Sequence, residues 1–265
     1  MNSTFVLPSA PLLHGRQDFV LEVCHGKRVL HLGCVDSGLV EERFARGELM
    51  HQRLASVASE LWGVDVDTVG IEFLRAQGFD HLLSADIGES EDAVALLRAQ
   101  RFDVVLATEV LEHLLNPGRF LAAVQRLMVP HDSIFIVTVP NAFRLETLLG
   151  LWRGVELVHP DHNYWFSYRT AKTLLEKCGF QVEQVAAYAF SVTGVAPGGV
   201  SAVGRQPQPA NSIPGTKVRP GLAGRLVRYV RGFPGRLLRT VLFGRTSFWG
   251  DGLVLVATVA VEAET

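Results

Sequence analysis

VLHLGC at 29–34, LWGVDVD at 61–67, SADI at 84–87 and FDVVLATEVLEHL at 102–114 share one pattern, a short apolar run that stops at a polar or acidic residue. The stretches between them carry helical periodicity, so the order reads βαβα and predicts a parallel, doubly wound α/β sheet. In such a sheet the carboxyl ends of the strands line a crevice, and residues placed there meet the ligand. Asp65 closes the second run, where a carboxylate accepts hydrogen bonds from both hydroxyls of a ribose. Asp86 closes the third, where it meets an adenine amino group, and Glu109 follows the fourth. One acid in a loop is ordinary; acids after three successive strands suit a nucleoside.

The first loop decides which nucleoside ligands remain. Gly33-Cys34-Val35-Asp36-Ser37-Gly38 has no Lys-Ser or Lys-Thr after Gly38, which excludes a phosphate-cradling P-loop. Val35 stands where the dinucleotide fingerprint needs a second glycine for close approach to a pyrophosphate. A nucleoside without phosphates is the better fit.

These residues resemble the class I S-adenosylmethionine-dependent methyltransferases from about Lys27 to Phe190. The likeness is greatest to bacterial members with EVLEH after strand four and PNAF after strand five, which stand here at 109–113 and 140–143. The resemblance implies a Rossmann-like sheet of seven strands, the last antiparallel, and S-adenosylmethionine as cofactor. It places the methionine part on Gly33 and the backbone from Cys34 through Asp36 to Gly38. It places the ribose on Asp65 with Val66 beside it, the adenine on Asp86 and Ile87, and Glu109 near the sulfonium. The chain departs from the family pattern at His31, where an acid is usual, and at Val35, where a glycine is common.

The rest of the chain reads consistently. With 265 residues, 48% hydrophobic content and a formal charge of −2, it can bury a full core and carries no global field that would recruit nucleic acid. Cys24, Cys34 and Cys178 are scattered and odd in number, which suits a reducing cytosol and neither a disulfide framework nor a zinc spacing. The N-terminus lacks a basic n-region and is broken by Pro8 and Pro11, so no signal peptide is expected. No apolar run reaches the roughly 18 to 20 residues of a membrane span. A cytoplasmic protein is expected, with peripheral docking at the inner membrane face as the alternative.

Two helices are predicted between 39 and 61, then helices over Thr68–Gln77, Ser90–Arg98 and Asn116–Met128, with Pro117 suited to a first turn. SIFIVTV at 133–139 is a strand stopped by Pro140. NAFRLETLLGLWRG then reads as a helix crossing above the crevice, followed by HPDHNYWFSYRT at 159–170 and a helix over about 168–178.

The segment at 159–170 gathers His159, Asp161, His162, Tyr164, Trp165 and Phe166. Methyl transfer is an in-line displacement in which much of the catalysis is alignment, and a hydroxyl acceptor must also lose a proton. His162 is the first choice as base and His159 the second, with Asp161 orienting either ring; His113, in EVLEHLLNP, competes as an acceptor-side contact. A divalent-ion site from His159 and His162 with Asp161 or Asp67 is set aside, because the histidine spacing is weak and no carboxylate pair stands at the strand ends. Trp165 and Phe166 read as core or pocket wall, and His51 as a helix-surface residue.

No Asp or Glu occurs between Glu183 and Asp251, while arginines alternate with apolar residues over 218–245. The pattern predicts a basic amphipathic α-helical insertion over 191–250, acting as a lid or as a contact with anionic membrane. The domains are then an N-terminal segment 1–26, a core 27–190, the insertion, and a final strand and tail 251–265. The expected function is O-methylation of a sugar or lipid-linked glycan hydroxyl. A quinone or polyketide phenol is the enzyme alternative, and a cofactor-binding scaffold that docks through the basic segment is the non-enzyme alternative.

Overall fold

In the computed structural model residues 4–189 and 247–260 are described. The proposed insertion over 191–250, with its docking stretch 218–245, lies almost wholly outside them.

The chain opens with a two-residue strand, β1 (Leu12–Leu13), and helix α1 (Arg16–Cys24). Strand β2 (Arg28–Leu32) is followed by α2 (Val40–Ala45) and α3 (Met50–Ala55), the two helices expected after the first loop. Then come β3 (Glu60–Asp65), α4 (Thr68–Ala76), β4 (Leu82–Ser84), α5 (Glu91–Arg98) and β5 (Val104–Thr108). A 3-10 turn at Leu111–His113 leads to α6 (Pro117–Leu127), β6 (Ile134–Pro140) and α7 (Leu145–Trp152). Helix α8 (Tyr168–Lys177) and strands β7 (Phe180–Tyr188) and β8 (Gly252–Val259) complete the unit.

The helix starts are fixed by side chains that satisfy otherwise unpaired N–H groups. Asp67 accepts from the Gly70 N–H, Ser90 from Ala93 and Asn116 from Arg119 with Pro117 in the first turn, while Ser167 and Thr170 form a capping box on α8. Each such cap is worth about 1 kcal/mol.

The sheet order is β1-β7-β8-β6-β5-β2-β3-β4. Strands β4, β3, β2, β5 and β6 are mutually parallel, and β8 runs antiparallel between β6 and β7. This is the doubly wound α/β sheet with an antiparallel last strand, extended at one edge by β1 pairing with β7. Alternation along β5 shows both faces covered. Val105 and Ala107 join one core cluster with Phe120, Val124 and Phe135, while Val104 and Leu106 join another with Val20, Leu54 and Ile136.

The chain builds β2, β3 and β4 outward in one direction and then returns to place β5 on the other side of β2. That reversal makes the carboxyl ends of β2 and β5 the switch point where an open sheet binds its ligand. Gly33 and Val110 meet there: a Cβ on Gly33, whose φ is +71°, would come within 2.5 Å of a Val110 methyl. Strand β7 also ends on this edge and β8 begins there, since Tyr188 pairs with Gly252.

Candidate active site

Two groups of residues gather at the carboxyl edge. The first belongs to β2, β3 and β4. Asp65 is 8% exposed; its Oδ2 accepts the Val35 N–H at 2.8 Å and its Oδ1 the Asp67 N–H at 3.0 Å. Burial, resisted by the backbone donors of Asp67 and Val35, raises its pKa. Asp67 in turn accepts the Ser37 hydroxyl at 2.9 Å. The loop 33–38 is thus tied to the end of β3 at two points, and its path is set before any ligand arrives. Next to Asp65, Val66 is 68% exposed, an apolar side chain standing at the strand end.

The other residues expected near the cofactor are placed as follows. Asp86 is exposed at the same edge and accepts the Gly88 N–H at 2.8 Å. The Ile87 and Cys34 side chains are buried in the core, so these two residues can offer a ligand only their backbone. Asp36 pairs with Arg43 at 2.7 Å. Glu109, at φ 55°, accepts the Thr138 and Tyr188 hydroxyls at 2.8 Å each and faces Arg16 at 3.4 Å. Its carboxylate is therefore engaged within the fold, tying β5, β6, β7 and α1 together.

The two departures in the first motif are matched by two glycines. Val35 packs against Gly70 of α4, where a Cβ would come 2.2 Å from a Val35 methyl. His31 is 1% exposed, and its Nδ1 lies 3.3 Å from the Nδ1 of His51, the rings stacked at 17°. A Cβ on Gly63 would come 2.7 Å from the His51 ring. His51 is therefore buried, contrary to the helix-surface reading: the missing side chain of Gly63 leaves the space it fills. Burial lowers the pKa of both, His51 to about 4, so both rings are neutral at pH 7 and neither supplies the negative charge of the acid that His31 replaces.

The second group is the acceptor side. The loop 159–166 is stitched to the turn after β5: the Asn163 N–H donates to the Glu112 carbonyl at 2.7 Å, Asn163 Nδ2 to the His113 carbonyl at 2.8 Å, and the Tyr164 hydroxyl to the Leu115 carbonyl at 3.0 Å. These bonds bring His113 beside His159 and His162, about 46 residues further along the chain. The His113 ring centroid lies 4.6 Å from that of His162 and 5.9 Å from that of His159, and the last two are 5.2 Å apart. Burial first, then the neighbouring His113 and His159, lowers the pKa of His162 to about 4; burial and His159 also lower that of His113. The Asp161 carboxylate lies 3.8 Å from His159 Nδ1, which accepts the Asp161 N–H at 3.3 Å. Phe166 is buried core, while Leu115, at 87% exposure, and Phe143, Leu151 and Trp152 present apolar surface nearby in sequence.

Glu112 was not singled out by the sequence, since it reads as one more acid of the EVLEH run. It is fully buried, with neither carboxylate oxygen hydrogen-bonded. Burial and the adjacent Glu109 carboxylate push its pKa up to about 8, so it is largely protonated at neutral pH. Arg16 and Tyr188, which complete this network, lie far from the motif and gave no local signal.

Comparisons with known proteins agree with this fold. Residues 14–185, well over half the chain, match the family described as "Methyltransferase domain". A ubiquinone biosynthesis O-methyltransferase of Hahella chejuensis is 32% identical over 57% of this chain and 60% of its own length. One from Nitrosococcus oceani is 26% identical over 60% of this chain and 66% of its own length. The chain thus spans about half to two thirds of the curated relatives it matches. Among solved structures, magnesium protoporphyrin IX methyltransferase from Synechocystis with bound SAH superposes with a TM-score of 0.50 at 11% identity, covering 92% of this chain and 82% of that one. The chain belongs to the methyltransferase domain family.

Proposed function

We propose that this protein is an S-adenosylmethionine-dependent O-methyltransferase acting on a hydroxyl of an apolar, aromatic small molecule of the quinone-precursor type. The observation that carries the reading is the crevice itself. A ribose-type carboxylate, Asp65, and an exposed apolar side chain, Val66, stand on one side of the β2–β5 switch point, with a histidine cluster after β5 on the other.

The residues fit the cofactor on its adenosine side. Asp65 already accepts two backbone N–H groups, and its remaining lone pairs are free to take the ribose hydroxyls. Val66 offers a surface for the adenine ring, Asp86 a carboxylate for its amino group, and the Ile87 backbone a further contact. Gly33, at positive φ and against Val110, lets the first loop run close to the methionine part. When bound, the cofactor supplies a methyl group on a sulfonium, activated for displacement.

On the other side His113, His159 and His162 receive the acceptor hydroxyl. With its pKa near 4, His162 is neutral at pH 7 and ready to accept a hydrogen bond. It is a poor store for the proton of a phenol, whose pKa is about 10, so deprotonation is assigned to the cluster rather than to that ring alone. The sugar hydroxyl favoured on sequence grounds has no counterpart among the relatives named above, which are ubiquinone biosynthesis enzymes. The exposed Leu115, Phe143 and Trp152 also suit an apolar acceptor better than a glycan.

The test is transfer of labelled methyl from S-adenosylmethionine to a prenyl-tailed catechol and, in parallel, to a polyprenyl-linked sugar. Label in the catechol supports the proposal; label confined to the sugar restores the glycan reading. Label in neither, with no binding of adenosylhomocysteine, overturns the methyltransferase reading for this chain.

A further inference from the structure

We propose that His113, His159 and His162 form a binding site for one divalent transition-metal ion of the zinc type, with a fourth position open toward the acceptor. One ring nitrogen from each of the three lies within 4.8 Å of the others. An ion bonded to imidazole nitrogens at about 2.0–2.1 Å in tetrahedral geometry needs those nitrogens about 3.3–3.4 Å apart. The rings must therefore close by at most about 1.5 Å, a side-chain adjustment for residues on an exposed loop and turn.

Two further observations point to a ligand there. The Nδ1 of His162 is buried and has no hydrogen-bond partner, a state that an ion at its centre would relieve. A carboxylate also stands beside one of the rings, as such groups do beside metal-bound imidazoles. His159 Nδ1 accepts the Asp161 N–H at 3.3 Å, and the Asp161 carboxylate lies 3.8 Å from the same nitrogen. Ligation of His159 through Nε2 would put its ring proton on Nδ1, breaking the bond from the Asp161 N–H and turning that proton toward the Asp161 carboxylate.

The donor set fixes the class of ion. Three imidazoles with no carboxylate among the ligands favour zinc, cobalt, nickel or copper over magnesium or calcium, which take oxygen. Three protein ligands leave a tetrahedral ion one open position, the arrangement of a catalytic rather than a structural site.

The use of that position rests on the O-methyl transfer reading; the ion site itself does not. An acceptor hydroxyl bound there becomes more acidic and releases its proton to solvent. An oxygen lone pair then forms the C–O bond to the methyl carbon as the C–S bond of the sulfonium breaks, its electron pair passing to sulfur.

The test uses the tag-free full chain, treated with chelator and then titrated with Co2+ and Zn2+, followed by visible absorption and calorimetry. One equivalent with the absorption of tetrahedral cobalt is expected, displaced by Zn2+ and unaffected by excess Mg2+. His159→Ala and His162→Ala should each weaken binding by roughly 100-fold or more, while His25→Ala, at an exposed position outside the cluster, leaves it unchanged. No stoichiometric binding, or binding indifferent to His159→Ala, overturns the site. Adenosylhomocysteine titrated into the same samples separates the two claims. Binding of adenosylhomocysteine without cobalt refutes only the ion, and cobalt without adenosylhomocysteine refutes only the methyl-transfer use of it.

Discussion

The two sides of the crevice are built on different principles. On the β2–β4 side each residue projects directly from a strand end, and its position follows from the hydrogen-bonded register of the sheet. On the far side the histidines are held by a loop and a turn joined by the hydrogen bonds of Asn163 and Tyr164 to the backbone of 112–115. The first side is preset by the sheet, whereas the second depends on tertiary contacts that a single substitution can loosen. A fold of this kind can therefore keep its cofactor chemistry constant while its acceptor chemistry varies.

If that division holds, substitutions on the two sides should separate cofactor binding from turnover. The largest effect is expected at Asp65. Asp65→Ala removes the ribose acceptors and the anchor of Val35 together, and should lower kcat/KM for the cofactor by on the order of 100-fold or more. Steady-state kinetics with varied cofactor checks it. His162→Ala should lower kcat by on the order of 100-fold while leaving cofactor affinity nearly unchanged; an equal loss in both would mean that the histidine loop also builds the cofactor site.

Smaller effects test the buried titratable groups behind each side. The raised pKa of Glu112 means that the folded state holds a proton the unfolded state has lost, so this residue lowers stability as pH rises from about 4.5 to about 8. Glu112→Gln should raise Tm by a few degrees at pH 9 and change it little at pH 4, as read by thermal melts. His51 has the opposite sign. Its depressed pKa stabilises the fold above about 6.5, and that contribution is lost as pH falls toward 4. His51→Phe should flatten the acid limb of the stability profile by a degree or two, leaving the alkaline limb as it is.

How far the site could be read in advance follows the same division. The strands, the caps at Ser90 and Asn116 and the acids Asp65 and Asp86 were legible because each signal sits within a few residues of the element it marks. The antiparallel direction of β8 beside β7 came only from the resemblance, and its insertion between β6 and β7 was not foreseen, since such an insertion leaves no local trace. His113, His159 and His162 were each noticed, but the spacing of His159 and His162 alone argued against a shared centre. It took the hydrogen bonds from Asn163 to bring His113 beside them. The burial of His51 and Glu112 was not legible, because it depends on what packs across from them: Gly63 for the one, the Glu109 network for the other.

The most direct test is calorimetric titration of adenosylhomocysteine into the wild-type chain, Asp65→Ala and His159→Ala under identical conditions. Binding that persists in wild type and in His159→Ala and is lost in Asp65→Ala is the predicted result. No binding to wild type, or equal binding to Asp65→Ala, would contradict the assignment of the β2–β4 edge to the cofactor.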